Sequence, residues 1–192
     1  MRIGIDFDNT IICYDSIFLN LAKSWQLVPV DYQGSKRELR DLIRKMPEGD
    51  LVWQKMQGQA YGALIHQGEM FPGFKPFIEH CNQAAITVFI VSHKTEHGHF
   101  DKKKISLRDA ARNWLRDQGL FTAKAPFIPQ ENVFFETTRE EKIERIKELC
   151  CTHFIDDLIE VLESPLFPGN VNRYLFHPQT SWAEIKHAIF RN

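Results

Sequence analysis

The segment Arg2–Thr10, RIGIDFDNT, decides the fold prediction. Its first part, Arg2–Phe7, is a continuous apolar run rather than an alternating one, which is typical of a strand buried on both faces of a parallel sheet. The acidic residues Asp6 and Asp8 lie where this strand would end. In an open parallel sheet, ligands bind beyond the carboxyl ends of the strands. The segment therefore predicts a central parallel strand and a polar site at its carboxyl end.

Four further apolar segments continue this pattern. They are Ile86–Val91, Asn132–Phe135, His153–Ile155 and Asn172–Phe176. Helical patterns lie between them, and capping pairs open three of these: Ser106 with Asp109, Thr138 with Glu141, and Ser181 with Glu184. A further helix from about residue 75 to 82 leads into the second strand. Because strands alternate with helices, we expect an α/β fold with a three-layer, Rossmann-like, doubly wound parallel sheet.

The stretch from about residue 14 to residue 71 interrupts this alternation. It has no convincing strand pattern but carries three apolar faces at helical spacing, and turn formers around Gly34 and Pro47 separate them. The faces consist of Phe18, Leu21, Ala22 and Trp25; of Leu39, Leu42 and Ile43; and of Trp53, Met56, Ala60, Ala63 and Leu64. The predicted organisation is therefore a core of residues 1–13 and 72–192 with a helical insertion at 14–71.

Charge and hydropathy argue against two classes of partner. Lys and Arg number 24 and Asp and Glu number 25 in the 192 residues, so no overall field attracts nucleic acid. No apolar run reaches the roughly 20 residues that cross a bilayer, so no membrane partner is expected. The first ten residues carry charge where a signal peptide would be apolar. We therefore expect a cytoplasmic protein.

Polar residues follow three of the predicted strands. They are Asp6 and Asp8; Ser92, His93 and Lys94; and Asp156 and Asp157. Two carboxylates spaced two residues apart on an extended chain project to the same side. Bringing like charges together is costly unless a cation or a proton is shared. Four clustered carboxylates therefore predict a hard oxygen site for Mg²⁺. Each residue alone has an ordinary structural explanation, so the hypothesis depends on their joint occurrence.

In chain order, these segments resemble the four motifs of the haloacid dehalogenase (HAD) superfamily, whose members are mostly phosphatases. Asp6-Phe7-Asp8-Asn9-Thr10 resembles the first motif, Asp-x-Asp-x-Thr, and Ile90-Val91-Ser92 resembles the second, an apolar strand that ends in Ser or Thr. Lys142, in the first turn of its capped helix, resembles the third, and Phe154-Ile155-Asp156-Asp157 resembles the acidic fourth. The resemblance covers the whole predicted core.

The resemblance implies a Mg²⁺-dependent phosphomonoesterase that acts on a small phosphorylated metabolite through an aspartyl-phosphate. Asp6 would be the nucleophile. Asp8 would protonate the leaving oxygen and then deprotonate the attacking water. Thr10 would help to orient the Asp8 carboxylate. Mg²⁺ would be held by Asp6, by the backbone carbonyl of Asp8 and by Asp156. Asp157 would support the site, either through water or by pairing with the motif lysine.

The resemblance also implies which residues contact the substrate. Ser92 and Lys142 would bind the transferring phosphoryl oxygens. Lys147 competes for the lysine role, but it lies one helical turn further from the catalytic edge. His93 and Lys94 are expected substrate contacts because they follow the second strand directly. Metal binding by the loop that contains His93, His97 and His99 is less favoured because their spacing matches no familiar zinc pattern.

By the same resemblance, the insertion at 14–71 would form a small cap. Its candidate substrate contacts are Tyr14, Trp53, Lys55 and Tyr61, although for any one of the aromatic residues packing of the insertion is the favoured explanation. Two other functions stay open: a phosphotransferase or mutase that uses the same aspartyl-phosphate, and a catalytically silent binding module. The intact acidic residues of the first and fourth motifs disfavour the silent module.

Overall fold

A computed structural model describes residues 1–101, 103–122, 124–177 and 179–191. Within these ranges the strands are β1 (Arg2–Ile5), β2 (Ile12–Cys13), β3 (Glu69–Met70), β4 (Thr87–His93), β5 (Val133–Glu136), β6 (His153–Asp156) and β7 (Asn172–Leu175). The α-helices are α1 (Asp15–Ser24), α2 (Lys36–Arg44), α3 (Gly49–Tyr61), α4 (Phe74–Gln83), α5 (Leu107–Asp117), α6 (Arg139–Glu148), α7 (Ile159–Leu162) and α8 (Trp182–Phe190).

Five strands form one parallel sheet in the order β5-β4-β1-β6-β7. All five were predicted, with ends that differ by one or two residues. From β1 the chain adds β4 and β5 on one side and then returns to add β6 and β7 on the other. Right-handed crossovers therefore place helices on both faces, and the order reverses beside β1. The prediction of an α/β, doubly wound parallel sheet is confirmed.

Helices pack tightly against this sheet. Phe89 and Val91 of β4 form a buried cluster with Ile143 and Ile146 of α6. Elsewhere α4 and α8 meet through aromatic edges, with the ring centroids of Phe74 and Trp182 4.9 Å apart. Fully burying an apolar side chain of this size stabilises the fold by roughly 1.5–3 kcal/mol. These contacts hold the strands in register and so fix the positions of the residues at their ends.

The chain divides into two compact units. The sheet unit comprises Met1–Ile12, Met70–Thr95 and the described residues from Leu115 onward; the helical unit comprises Cys13–Glu69 and Glu96–Trp114. The second segment of the helical unit is a difference from the predicted boundary, which assigned everything after residue 72 to the core. A close backbone contact explains why Glu96–Trp114 groups with the helical unit. Gly98 lies so close to Gly58 of α3 that a Cβ on Gly98 would approach the Gly58 Cα to 2.6 Å.

Aromatic packing organises the helical unit. The rings of Phe18 and Trp53 stack with centroids 4.6 Å apart, and Tyr14 meets Tyr61 edge to face at 4.8 Å. The Lys36 ammonium lies 4.7 Å from the centroid of Phe18, a cation–π contact. Most residues of the three predicted apolar faces belong to α1, α2 and α3, whereas Trp25 follows α1, and Ala63 and Leu64 follow α3.

Three short elements were not predicted. The strands β2 and β3 have two residues each and pair with one another, and α7 has four residues. Elements of this length carry no periodic hydrophobic signal, so a pattern search does not detect them. No helix in the described part of the chain combines the length and apolar character that a bilayer crossing requires.

Candidate active site

The first candidate residue, Asp6, lies directly beyond β1. Its backbone N–H donates to the carbonyl of Ile155 at 2.9 Å, so the strand pairing continues to this position. The chain then turns, because the N–H groups of Ile11 and Ile12 both donate to the carbonyl of Phe7. Asn9 sits in the left-handed region at φ 58°, which asparagine tolerates better than most residues. The extended backbone that begins with β1 therefore ends at Asp6.

Lys142 joins the ends of β1 and β6. The predicted capping box of Thr138 and Glu141 is present at the start of α6, and it places Lys142 in the first turn. The Lys142 Nζ lies 2.6 Å from Asp6 Oδ1 and 2.6 Å from Asp156 Oδ2. Its side chain is 1% exposed. The second oxygen of Asp156, Oδ1, accepts from the backbone N–H of Leu158 at 3.0 Å. We call Asp6, Lys142 and Asp156 the buried triad.

The buried triad is strongly polarised. Burial, opposed by the charge of Lys142 and helped by the charges of Asp156 and Asp8, raises the pKa of Asp6 to about 6. For Lys142, burial alone would lower the pKa, but the charges of Asp6 and Asp156 outweigh burial and raise it. A single ammonium therefore does not balance the surrounding carboxylates. An excess of negative charge remains at this end of the sheet.

Three carboxylates could hold a metal ion. Asp6, Asp156 and Asp157 each offer an oxygen, and these oxygens lie within 4.8 Å of one another. The described part of the chain contains no other group of this kind. Oxygen donors with excess negative charge suit Mg²⁺, so the donor set fits the expected ion. Of the four carboxylates in the sequence prediction, Asp8 is not in this group, and its role at the metal stays a prediction.

The Asp8 carboxylate pairs with Lys94 instead. The Lys94 Nζ lies 2.9 Å from Asp8 Oδ1 and 2.8 Å from Oδ2. Lys94 is itself buried, its backbone N–H donates to the Glu136 carbonyl at 2.8 Å, and its ammonium lies 5.4 Å from the Phe7 ring centroid. The sequence prediction assigned Lys94 to the substrate and did not find this pair. No local spacing could reveal it, because the partners are 86 residues apart.

Thr10 does not hold Asp8 in this structure. Thr10 is fully buried, and its Oγ1 has no hydrogen-bond partner in the described part of the chain. The expected orientation of Asp8 by the Thr10 hydroxyl is therefore absent. The ammonium of Lys94 contacts both oxygens of the Asp8 carboxylate and orients it instead of Thr10.

The other expected phosphate and substrate residues lie along β4 and beyond it. Ser92 is 1% exposed and pairs in register with Phe135 of β5, next to the end of the strand. His93 is the last residue of β4 and is exposed. His97 and His99 belong to the helical unit. Neither is among the three aspartates that could hold a metal ion.

Within the helical unit, packing explains two of the four candidate contacts. Tyr14 is fully buried and Trp53 is 3% exposed, so both form part of the aromatic core. Tyr61 is half-buried in the same cluster. Lys55 is exposed, with its ammonium 5.9 Å from the ring centroid of Phe100.

Comparison with known proteins identifies the fold. No protein-family model matches the chain, and no curated protein sequence matches it at a significant level. Solved structures do match. A hydrolase from Streptococcus pneumoniae TIGR4 aligns with a TM-score of 0.59 at 11% identity, covering 98% of this chain and 97% of that one. A HAD-superfamily hydrolase of subfamily IA from Geobacter sulfurreducens aligns with a TM-score of 0.55 at 10% identity, covering 98% and 94%. A HAD-superfamily hydrolase from Ehrlichia chaffeensis aligns with a TM-score of 0.53 at 12% identity, covering 98% of this chain and 95% of that one. The chain therefore has the fold of the HAD-superfamily hydrolases.

Proposed function

We propose that this protein is a Mg²⁺-dependent phosphomonoesterase that uses Asp6 as its nucleophile. The observation that carries the proposal is the buried triad. A carboxylate lies at the carboxyl end of the central strand, a buried lysine contacts it, and further carboxylates on the neighbouring strand give it metal-binding capacity. This is the crevice where open α/β sheets bind their ligands. The shared fold of HAD-superfamily hydrolases supports the same assignment.

The proposed reaction has two half-reactions. In the first, a carboxylate oxygen of Asp6 bonds to phosphorus, the bond from phosphorus to the leaving oxygen breaks, and Asp8 gives that oxygen a proton. In the second, a water oxygen attacks phosphorus, its proton passes to Asp8, and the bond between Asp6 and phosphorus breaks. A carboxylate nucleophile divides one difficult displacement into two easier ones. The charge of Asp8 contributes to the raised pKa of Asp6, so the two carboxyl groups are near enough to act on one phosphoryl group.

The remaining residues stabilise charge. The proposed ligands of the phosphoryl oxygens are Lys142, which contacts Asp6, and Ser92, which is buried near the end of the neighbouring strand β4. Mg²⁺ would be held by Asp6, Asp156 and Asp157, with the backbone carbonyl of Asp8 as a further ligand. When bound, it would neutralise the charge that the phosphate adds to an already negative site. Three further points stay predictions: the cytoplasmic location of the protein, a small phosphorylated metabolite as its substrate, and the role of the helical insertion as a cap.

Hydrolysis assays test this proposal. We expect the wild type to release phosphate from an aryl phosphate, or from a panel of sugar phosphates and nucleotides, only when Mg²⁺ is present. Asp6→Asn should abolish this activity, whereas Asp31→Asn, a matched change at an exposed aspartate, should not. An added alcohol acceptor should not receive the phosphoryl group, which separates hydrolysis from phosphotransfer. Turnover that survives Asp6→Asn, or no turnover across the panel, would contradict the proposal.

A further inference from the structure

Lys94 is buried at a position where an uncompensated lysine would be costly. Its side chain is 2% exposed, and the side chain of its partner Asp8 is 19% exposed. Removing an ammonium from water without a partner costs several kcal/mol, so a buried lysine is normally paired. Both Asp8 oxygens lie within 2.9 Å of the Lys94 Nζ. This two-point contact fixes the rotation of the carboxylate as well as its position.

The scaffold holds Lys94 in place independently of Asp8. Its backbone is fixed by the hydrogen bond to the Glu136 carbonyl, which continues the pairing of β4 with β5. Its ammonium lies near the face of Phe7, which in turn meets Phe135 edge to face at 5.9 Å. A lysine restrained at its backbone and at its ammonium can position a carboxylate that lies outside the regular strands. Asp8 is such a residue, because it lies beyond the end of β1.

We propose that Lys94 is a positioning residue that holds Asp8 as the carboxylate that accepts the proton of the attacking water. This inference rests on the proposed function. The arrangement suits the second half-reaction, in which Asp8 takes a proton from water while the bond between Asp6 and phosphorus breaks. In the first half-reaction one Asp8 oxygen carries the proton that is donated, so the contact of both oxygens with the Lys94 ammonium is complete only in the second. Lys94 therefore acts on the two half-reactions unequally.

Kinetics of Lys94→Met test the inference. A slower second half-reaction lowers kcat and KM together, leaves kcat/KM nearly unchanged, and lets the phosphoenzyme accumulate. We expect kcat to fall at least tenfold and kcat/KM to change less than threefold. The burst of phenol release should rise toward one equivalent per active site. Lys94→Arg, which keeps the charge, should retain more kcat, and Lys147→Met, at an exposed lysine paired with Glu144, should behave as wild type.

A double-mutant cycle tests whether Lys94 acts on kcat through Asp8. If Lys94 acts through Asp8, Lys94→Met should lower kcat less than twofold when Asp8→Asn is already present. An equal loss in both backgrounds would overturn the inference. So would a rise in KM with unchanged kcat, the result expected of a substrate ligand, or a Lys94→Met enzyme with wild-type kinetics. If Lys94→Met does not fold, the same comparison with Lys94→Arg decides, since displacing the ammonium should lower kcat and not kcat/KM.

The outcomes separate this inference from the proposed function. Asp6-dependent turnover that is insensitive to Lys94 would leave the phosphatase proposal intact and remove only the role of Lys94. Wild-type turnover that does not require Asp6 would remove both.

Discussion

Two lysines contact the acidic groups of this site, and they do so differently. Lys142 lies between two buried carboxylates, Asp6 and Asp156, and a third, Asp157, lies close enough to share a metal ion with them. Lys94 contacts both oxygens of Asp8, a carboxylate that is partly open to solvent. In the first arrangement two carboxylates share one ammonium, whereas in the second the ammonium fixes the orientation of one carboxylate. A cation is therefore expected at the buried triad, and an orienting role is expected of Lys94.

The largest expected effect is on stability at the buried triad. Lys142→Met leaves two buried carboxylates without their shared ammonium. Removing one partner of a buried ion pair typically costs about 3–5 kcal/mol. We expect a loss of that size in the free energy of unfolding, measured by urea denaturation without metal. Lys147→Met should change it by less than about 0.5 kcal/mol, because that lysine is exposed. A loss for Lys142→Met as small as for Lys147→Met would contradict the role given to this lysine.

Magnesium should stabilise the folded protein through the same carboxylates. At a concentration a hundredfold above its Kd, a ligand of the native state adds about 2.7 kcal/mol of stability. We expect Tm to rise with Mg²⁺ and to return when a chelator is added. Asp156→Asn should remove the rise, whereas Asp31→Asn, at an exposed aspartate, should keep it. A rise of the same size in the Asp156→Asn protein would place the ion elsewhere.

A smaller loss of stability is expected at the second pair. Lys94→Met should lower the free energy of unfolding by about 1–3 kcal/mol, the usual cost of leaving a charged group without its partner. This is less than the loss for Lys142→Met, because water can reach Asp8, whereas both carboxylates that contact Lys142 are buried. Combining Lys94→Met with Asp8→Asn should cost less than the two single losses summed. Strict additivity in thermal unfolding would show that the two side chains do not interact.

The smallest effect is expected at Thr10. Its buried hydroxyl has no hydrogen-bond partner among the described residues, so Thr10→Val removes an unsatisfied polar group without changing side-chain shape. We expect the free energy of unfolding to stay unchanged or to rise by about 1 kcal/mol. A loss of more than 1 kcal/mol in thermal unfolding would mean that the hydroxyl makes a favourable contact. Lys94 would then share the orientation of Asp8 with Thr10.

The same contrast shows what the sequence could predict. The buried triad follows from strand ends and a capping box: apolar runs predict where β1 and β6 end, and Thr138 with Glu141 predicts the helix that carries Lys142. These are local signals, and the sheet topology then brings the residues together. The five strands of the sheet were predicted for the same reason.

The remaining features depend on contacts without a local signal. The pair of Lys94 and Asp8 joins two loops that are distant in sequence, and it forms because the chain turns after Asp6. The assignment of Glu96–Trp114 to the helical unit depends on the close approach of Gly58 and Gly98, which a hydrophobic pattern does not contain.

Locating the covalent intermediate tests the central claim most directly. The protein would be mixed with an aryl phosphate and Mg²⁺, quenched in acid within the first turnover, digested and analysed by peptide mass spectrometry. Our account predicts one added phosphoryl group on Asp6, present in the wild type and in Asp8→Asn and missing in Asp6→Asn. A phosphoryl group on any other residue, or steady turnover with no phosphorylated peptide in either protein, would contradict it.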